Sequence, residues 1–134
     1  MKSVKEILSD TKTIAVIGIS DKPNRDSGSI AKFLLDKGYN VVGVHPTLKD
    51  VFGIKVYKSL DEIPHKIDLV NVFLASEKIP EIIPSVEKIS PKYLWLQLGV
   101  RNDNAVKLLI EKGVEVIQDK CIAVEYRISI SNRE

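Results

Sequence analysis

Apolar residues fall along this chain in short unbroken runs, separated by stretches where they recur every third or fourth position. Thr13 to Ile19 (TIAVIGI) is the clearest run. It is rich in β-branched residues and is followed by the polar Ser20-Asp21-Lys22-Pro23-Asn24, as expected of a strand buried on both faces. The pattern predicts further strands at Val41 to Val44, Ile67 to Leu74, Tyr93 to Leu98 and Val114 to Ile117. Between them Ile30, Phe33 and Leu34 predict a helix that Ser27 or Ser29 can cap and Gly38 can end. Ile79, Ile82, Ile83 and Val86 predict a second helix, and Ala105, Leu108 and Leu109 a third, with Asn102 as its N-cap. Ser3 to Ser9 reads as a short leading helix. Pro84 lies inside the second of these helices, where a proline costs about 3 kcal/mol, so a kink or restart is expected. Val51 to Tyr57, with Gly53, fits either an extra edge strand or a closing flap.

Strands that alternate with helices over short connections make right-handed βαβ units. The expected fold is therefore α/β: a single doubly wound, mostly parallel, five-stranded sheet with helices on both faces. The 134 residues suit one domain, 1–134. A domain near this size buries roughly two-thirds of the surface its unfolded chain exposes. Hydrophobic residues at 44% and charged residues at 28% argue against disorder and against a membrane protein. No apolar run is long enough to span a bilayer, no apolar leader opens the sequence, and the lone Cys121 cannot build a disulfide framework. A cytoplasmic location is expected. The net charge of +2, with most lysines alternating with acids, gives no basic stripe for a nucleic acid.

In sheets of this kind ligands bind beyond the carboxyl ends of the strands, where strand order reverses. The loops starting at Gly18, His45, Phe73, Gly99 and Asp119 are therefore the places to look. Gly18-Ile19-Ser20 lets backbone approach a ligand, with the next helix start behind it. Ser20, Ser27 and Ser29 offer hydroxyls, and Lys22 and Arg25 offer charge. Without a full G-x-G-x-x-G, this loop fits either a phosphate cradle or a tight turn followed by solvated charges. The second strand ends in Val44-His45-Pro46 with Lys49 close behind, where NAD-binding sheets usually carry an acid for the ribose hydroxyls. A ribose bearing a 3′-phosphate would be repelled by a carboxylate and accepted by His45 or Lys49, which favours coenzyme A over NAD; taken alone, Pro46 fits equally a stiffened turn and His45 an exposed side chain.

Five runs together carry a resemblance: Ala15-Val16-Ile17-Gly18-Ile19-Ser20, Gly38 to Pro46 (GYNVVGVHP), Tyr57 to Pro64 (YKSLDEIP), Trp95 to Val100 (WLQLGV) and Asp119-Lys120-Cys121. In this order the chain resembles the stand-alone CoA-binding domain family, which is related to the N-terminal domain of the succinyl-CoA synthetase α subunit. The likeness runs from about Thr13 to Val124. It implies a Rossmann-like fold with coenzyme A across the strand tips. Gly18, Ile19, Ser20, Lys22 and Ser27 would meet the phosphates, and His45, Pro46 and Lys49 the phosphorylated ribose. Phe73 and Leu74 would meet the adenine, and Gln97 and Gly99 the pantetheine arm. Cys121 would lie toward the ligand thiol, where a mixed disulfide could form, although a lone cysteine after a strand is more often a small buried apolar residue. Ser29 stands where many relatives have Arg, and His45 where many have Asn; Arg25 could supply the lost charge from the same loop.

The expected function is a non-catalytic module holding coenzyme A or an acyl-CoA. No H-E-x-x-H, paired C-x-x-C or G-x-S-x-G is present, so no metal site or catalytic residue is predicted. The alternatives are an NAD(P)-binding oxidoreductase and a CoA-binding subunit of an acyl-CoA synthetase. The apolar tail Ile122 to Ile130 could pack on another copy or on a partner subunit.

Overall fold

Strand β1 (Thr13–Ile17) is the spine of the sheet, and its alternate residues feed two separate cores. Ile14 and Val16 join one apolar cluster, while Ala15 and Ile17 join the other. Burial on both faces explains why this strand is apolar without a break. The computed structural model describes residues 2–130. In chain order the elements are α1 (Val4–Asp10), β1, α2 (Asp26–Asp36), β2 (Asn40–Val44), β3 (Asp50–Val51) and β4 (Ile54–Tyr57), then β5 (Leu69–Val72), α3 (Ile79–Ile89), β6 (Tyr93–Leu96), α4 (Asp103–Glu111), β7 (Glu115–Ile117) and α5 (Ile122–Ser129). The strand order is β3-β4-β2-β1-β5-β6-β7. Every pairing is parallel except β3 with β4. One core lies under α1, α2 and α5, the other under α3 and α4. Ile14, Leu69, Leu94 and Trp95 are fully buried, and burial of such a side chain contributes about 1.5–3 kcal/mol.

The doubly wound plan is as expected, but the sheet has seven strands instead of five. The additional pair is the segment Val51 to Tyr57, an edge hairpin whose outer strand starts at Asp50. Its two-residue turn, Phe52-Gly53, has φ of 52° and 85°. Positive φ at both positions suits a tight hairpin turn, which usually selects Asn-Gly, so the phenylalanine hides the signal. β1, β5 and β6 stop two residues earlier than the apolar runs suggest, because their last residues already form the loops at the tips.

Helix signals were sound at α1, where Ser3 Oγ accepts from the Glu6 amide at 3.1 Å and Glu6 Oε1 accepts from the Ser3 amide at 2.9 Å. Asn102 likewise caps α4, accepting from the Ala105 amide at 3.1 Å. Neither Ser27 nor Ser29 caps α2: Arg25 holds the N-cap position without a side-chain bond, and Ser29 Oγ donates back to the Asp26 carbonyl at 2.9 Å. Pro84 neither stops nor restarts α3, which runs uninterrupted from Ile79 to Ile89. Pro80 and Pro84 are both exposed, so the carbonyl that Pro84 leaves without a partner lies on the wet face. The segment from Ile122 folds back as α5, burying Ile122 and Ala123 and packing Tyr126 and Ile130 on the same core, and leaves Val124 and Ile128 exposed. No helix among the described residues is long and apolar enough to cross a membrane.

Candidate functional site

The chain leaves β1 toward β2 on one side and later returns to place β5 on the other, so strand order reverses between β1 and β5. A cleft of about 790 Å³ lies over this point and extends along the strand tips from His45 to Cys121. Four strand spacings of about 4.8 Å separate β2 from β7, a reach of about 19 Å.

Gly18 sits at the middle of the cleft. Its amide donates to the Val44 carbonyl at 3.0 Å and the Phe73 amide donates to the Ile17 carbonyl at 2.9 Å, tying three tips together. Its φ is +82°, and a Cβ there would lie 2.5 Å from the Phe73 carbonyl oxygen, so only glycine fits. Ile19 is buried, with its side chain where a Cβ on Gly43 would meet it at 2.7 Å. Ser20 Oγ accepts from the Lys22 amide at 3.1 Å and shapes the loop that follows.

That loop leads into α2, whose first amides have no side-chain cap. Ser27, in the first turn, is 3% exposed and lines the cleft, and its hydroxyl has no hydrogen-bond partner among the described residues. Arg25 and Lys22 line the same end, together with Asn24, Asp26 and Ile30. Asp26 is the one acid on this wall. Ser29 faces away from the cleft, so Arg25 is the residue that brings guanidinium charge to it. Gly28 was missed by sequence reasoning: a Cβ there would lie 2.2 Å from the Ser20 carbonyl oxygen and 2.8 Å from Cε2 of Phe52. A glycine one turn into a helix that follows a glycine loop is the signal that could have found it.

At the β2 tip, His45 Nδ1 accepts from the Leu48 amide at 3.0 Å and the Thr47 amide at 3.1 Å. Two backbone donors on Nδ1 fix the ring and leave Nε2 as the nitrogen that carries hydrogen, on a residue that lines the cleft. Pro46 lines the cleft beside it, while Lys49 is exposed and lies outside the wall. Phe73, Leu74 and Ala75 form the β5 tip.

Gln97 ends β6 at 6% exposure. Its Oε1 accepts from Asn71 Nδ2 and from the Ile122 amide, both at 3.3 Å. The backbone amide can only donate, so the orientation of the Gln97 side chain is settled, and Nε2, on a residue that lines the cleft, has no partner among the described residues. Asn71 is fully buried, and its Oδ1 has no partner. Gly99, at φ +85°, donates to Asp119 Oδ1 at 2.6 Å and supports the loop without lining the cleft. Cys121 is a half-buried free thiol at the N-cap position of α5 and closes this end. Trp95 is pure core, with Nε1 donating to the Lys120 carbonyl at 2.8 Å.

Asp10, a surface carboxyl with a shifted ionisation, lies at the opposite end of the strands. Tyr93 donates to Asp10 at 2.7 Å and Lys92 approaches at 3.3 Å, which together hold the Asp10 carboxyl below its usual range. That cluster ties α1 to β6; the cleft is furnished instead with cations, fixed donors and apolar walls.

Residues 12–127 match the CoA binding domain family. An uncharacterized protein of Bacillus subtilis (strain 168), YneT, is 40% identical over 126 residues, covering 94% of this chain and 93% of that one. The α subunit of ADP-forming acetate–CoA ligase I from Pyrococcus furiosus is 32% identical over 84 residues, covering 58% of this chain but only 18% of that subunit. Among solved structures, a hypothetical protein from Pyrococcus horikoshii OT3 superposes with a TM-score of 0.90 at 34% identity, covering 95% of this chain and 89% of that one. A Thermus thermophilus protein superposes with a TM-score of 0.91 at 30% identity, covering 96% and 100%. Matched over nearly its whole described length, the chain belongs to the CoA binding domain family.

Proposed function

We propose that this domain binds coenzyme A, laid across the strand tips from His45 to Cys121, and has no catalytic activity of its own. The observation that carries the reading is the β1–β2 end of the cleft. There the uncapped start of α2, the Ser27 hydroxyl, Lys22 and Arg25 converge beside a β2 tip that bears His45 in place of a carboxylate. Backbone amides at a helix start and nearby cations suit a pyrophosphate. His45 Nε2 then donates to the ribose 3′-phosphate, and Lys49 on the adjacent flank adds charge through its flexible stem. Phe73 and Leu74 take the adenine, Gln97 and the Gly99 turn guide the pantetheine arm, and Cys121 sits near the thiol. A free thiol suits a reducing cytoplasm.

Titration calorimetry with coenzyme A, 3′-dephospho-coenzyme A and NAD tests this. Coenzyme A is expected to bind, with at least a tenfold loss when the 3′-phosphate is missing and no binding of NAD at millimolar concentration. Preference for NAD, or indifference to the 3′-phosphate, would defeat the reading. The likeness to the ligase α subunit favours a second role, as the CoA-holding part of a larger synthetase. In that case light scattering would show a complex with a partner chain, and acetyl-CoA-dependent phosphorylation of ADP would require that partner.

A further inference from the structure

The cleft changes character along its length. At the β1–β2 end it is lined by Lys22, Arg25 and His45; at the β5–β6 end Leu74, Ala75, Leu98 and Val100 line it with no charge between them. Leu98 is 67% exposed. A lone exposed leucine needs no explanation, but this one is held out by a fixed turn. The Val100 amide donates to the Gln97 carbonyl at 2.8 Å across Leu98 and Gly99, and Gly99 supplies the positive φ such a turn requires. The Gly99 amide is pinned by Asp119 Oδ1, the Val100 carbonyl accepts from the Asp119 amide at 3.1 Å, and the Arg101 amide donates to Ser76 Oγ at 3.0 Å. An apolar side chain on so rigid a loop loses little freedom when it is covered. Beside it stands the Gln97 Nε2 amide, held by a nine-tenths-buried side chain and left without an acceptor. A free thiol offers this donor only a weak acceptor and brings no carbons to cover Leu98.

The geometry points to an acyl thioester, with a short apolar acyl group, as the ligand this end of the cleft accommodates. The thioester carbonyl accepts from Gln97 Nε2, and the acyl carbons lie against Leu98 and Leu74. This inference rests on the coenzyme A reading of the opposite end.

Calorimetry with coenzyme A, butyryl-CoA and the thioether S-butyl-CoA separates the contributions, since the thioether keeps the alkyl chain but has no carbonyl. Butyryl-CoA is expected to bind about tenfold more tightly than coenzyme A, with S-butyl-CoA between them. Leu98→Asp, on an exposed turn, should erase the butyryl preference, read as the ratio of the butyryl-CoA and coenzyme A affinities within that one variant. Gln97→Leu should make butyryl-CoA and S-butyl-CoA equivalent. Equal binding of butyryl-CoA and coenzyme A by the unaltered protein, or a preference that survives Leu98→Asp, overturns the inference while leaving coenzyme A binding intact. If none of the three ligands binds, the reading beneath it falls as well.

Discussion

Replacing Gly28 by alanine sets two effects of opposite sign against each other. Inside a helix, alanine is favoured over glycine by about 1 kcal/mol, so propensity alone predicts a stabler protein. The added Cβ, however, would sit 2.2 Å from the Ser20 carbonyl oxygen, a backbone atom, and 2.8 Å from the Phe52 ring. The ring can swing aside. The carbonyl cannot, because Ser20 stands between the Gly18 turn and the Lys22 amide that its own Oγ holds. To reach ordinary contact, the start of α2 must retreat by about 1 Å, and overpacking of this kind costs about 3 kcal/mol at the upper end of its range. The net expectation is a loss of about 2 kcal/mol, or about 7 °C in Tm for a domain of this size. The same displacement opens the gap between the Ser20 loop and the first amides of α2, so coenzyme A affinity should fall at least tenfold. Thermal and urea unfolding followed by circular dichroism gives the first quantity and calorimetry the second. Ser29→Ala, one position along and exposed, serves as a control expected to move Tm by no more than about 2 °C. A Gly28→Ala protein with unchanged or raised Tm would refute the steric argument and leave helix propensity as the dominant effect.

Tyr39 is buried, and burial pushes its phenol up to about 12 while its hydroxyl donates to the Leu8 carbonyl at 2.7 Å. The folded value exceeds the unfolded one of about 10, so its contribution is complete below pH 10 and is lost as pH rises to about 12, by about 2 kcal/mol after screening. Tyr39→Phe should cost about 1 kcal/mol at neutral pH and flatten that alkaline limb in urea titrations; an unchanged limb would show that another group controls it. Asn71→Leu removes a buried amide whose Oδ1 has no partner. Stability should hold or rise by about 1 kcal/mol, while coenzyme A affinity falls severalfold because Gln97 loses one of its two anchors; a loss above about 2 kcal/mol would show that Asn71 is needed for the fold. Cys121 should exchange with coenzyme A disulfide, its thiolate forming a new S–S bond as one coenzyme A thiolate leaves. Mass spectrometry should then find a gain of one coenzyme A, absent in Cys121→Ser, and no gain would remove Cys121 from the thiol end.

The central strands and the tip loops were legible because a parallel sheet covered on both faces writes itself as unbroken apolar runs, as in Thr13–Ile17. The edge hairpin was ambiguous for the opposite reason. β3 is two residues long, and its turn uses phenylalanine where positive φ normally selects asparagine. Helix α5 escaped notice because Cys121 offers no side-chain cap, and the apolar positions after it resemble an unpartnered tail. Within the cleft, Gly18, Ser27 and His45 could be picked out from type and position, and Gln97 from the family resemblance. The roles of Gly28 and Asn71 could not, since each depends on a contact made across the fold: with Ser20 in one case and with Gln97, 26 residues away, in the other.

Helix α5 joins places that are far apart. It begins at Cys121 on the cleft wall, its first amide holds Gln97, and further along Tyr126 meets Phe33 of α2 edge-on at 5.7 Å and Tyr39 at 6.1 Å. A molecule resting on the strand tips therefore presses on a strut whose far end braces the helical layer behind the sheet. Occupancy should register there as slower hydrogen exchange, giving a readout of binding from amides that never touch the bound molecule.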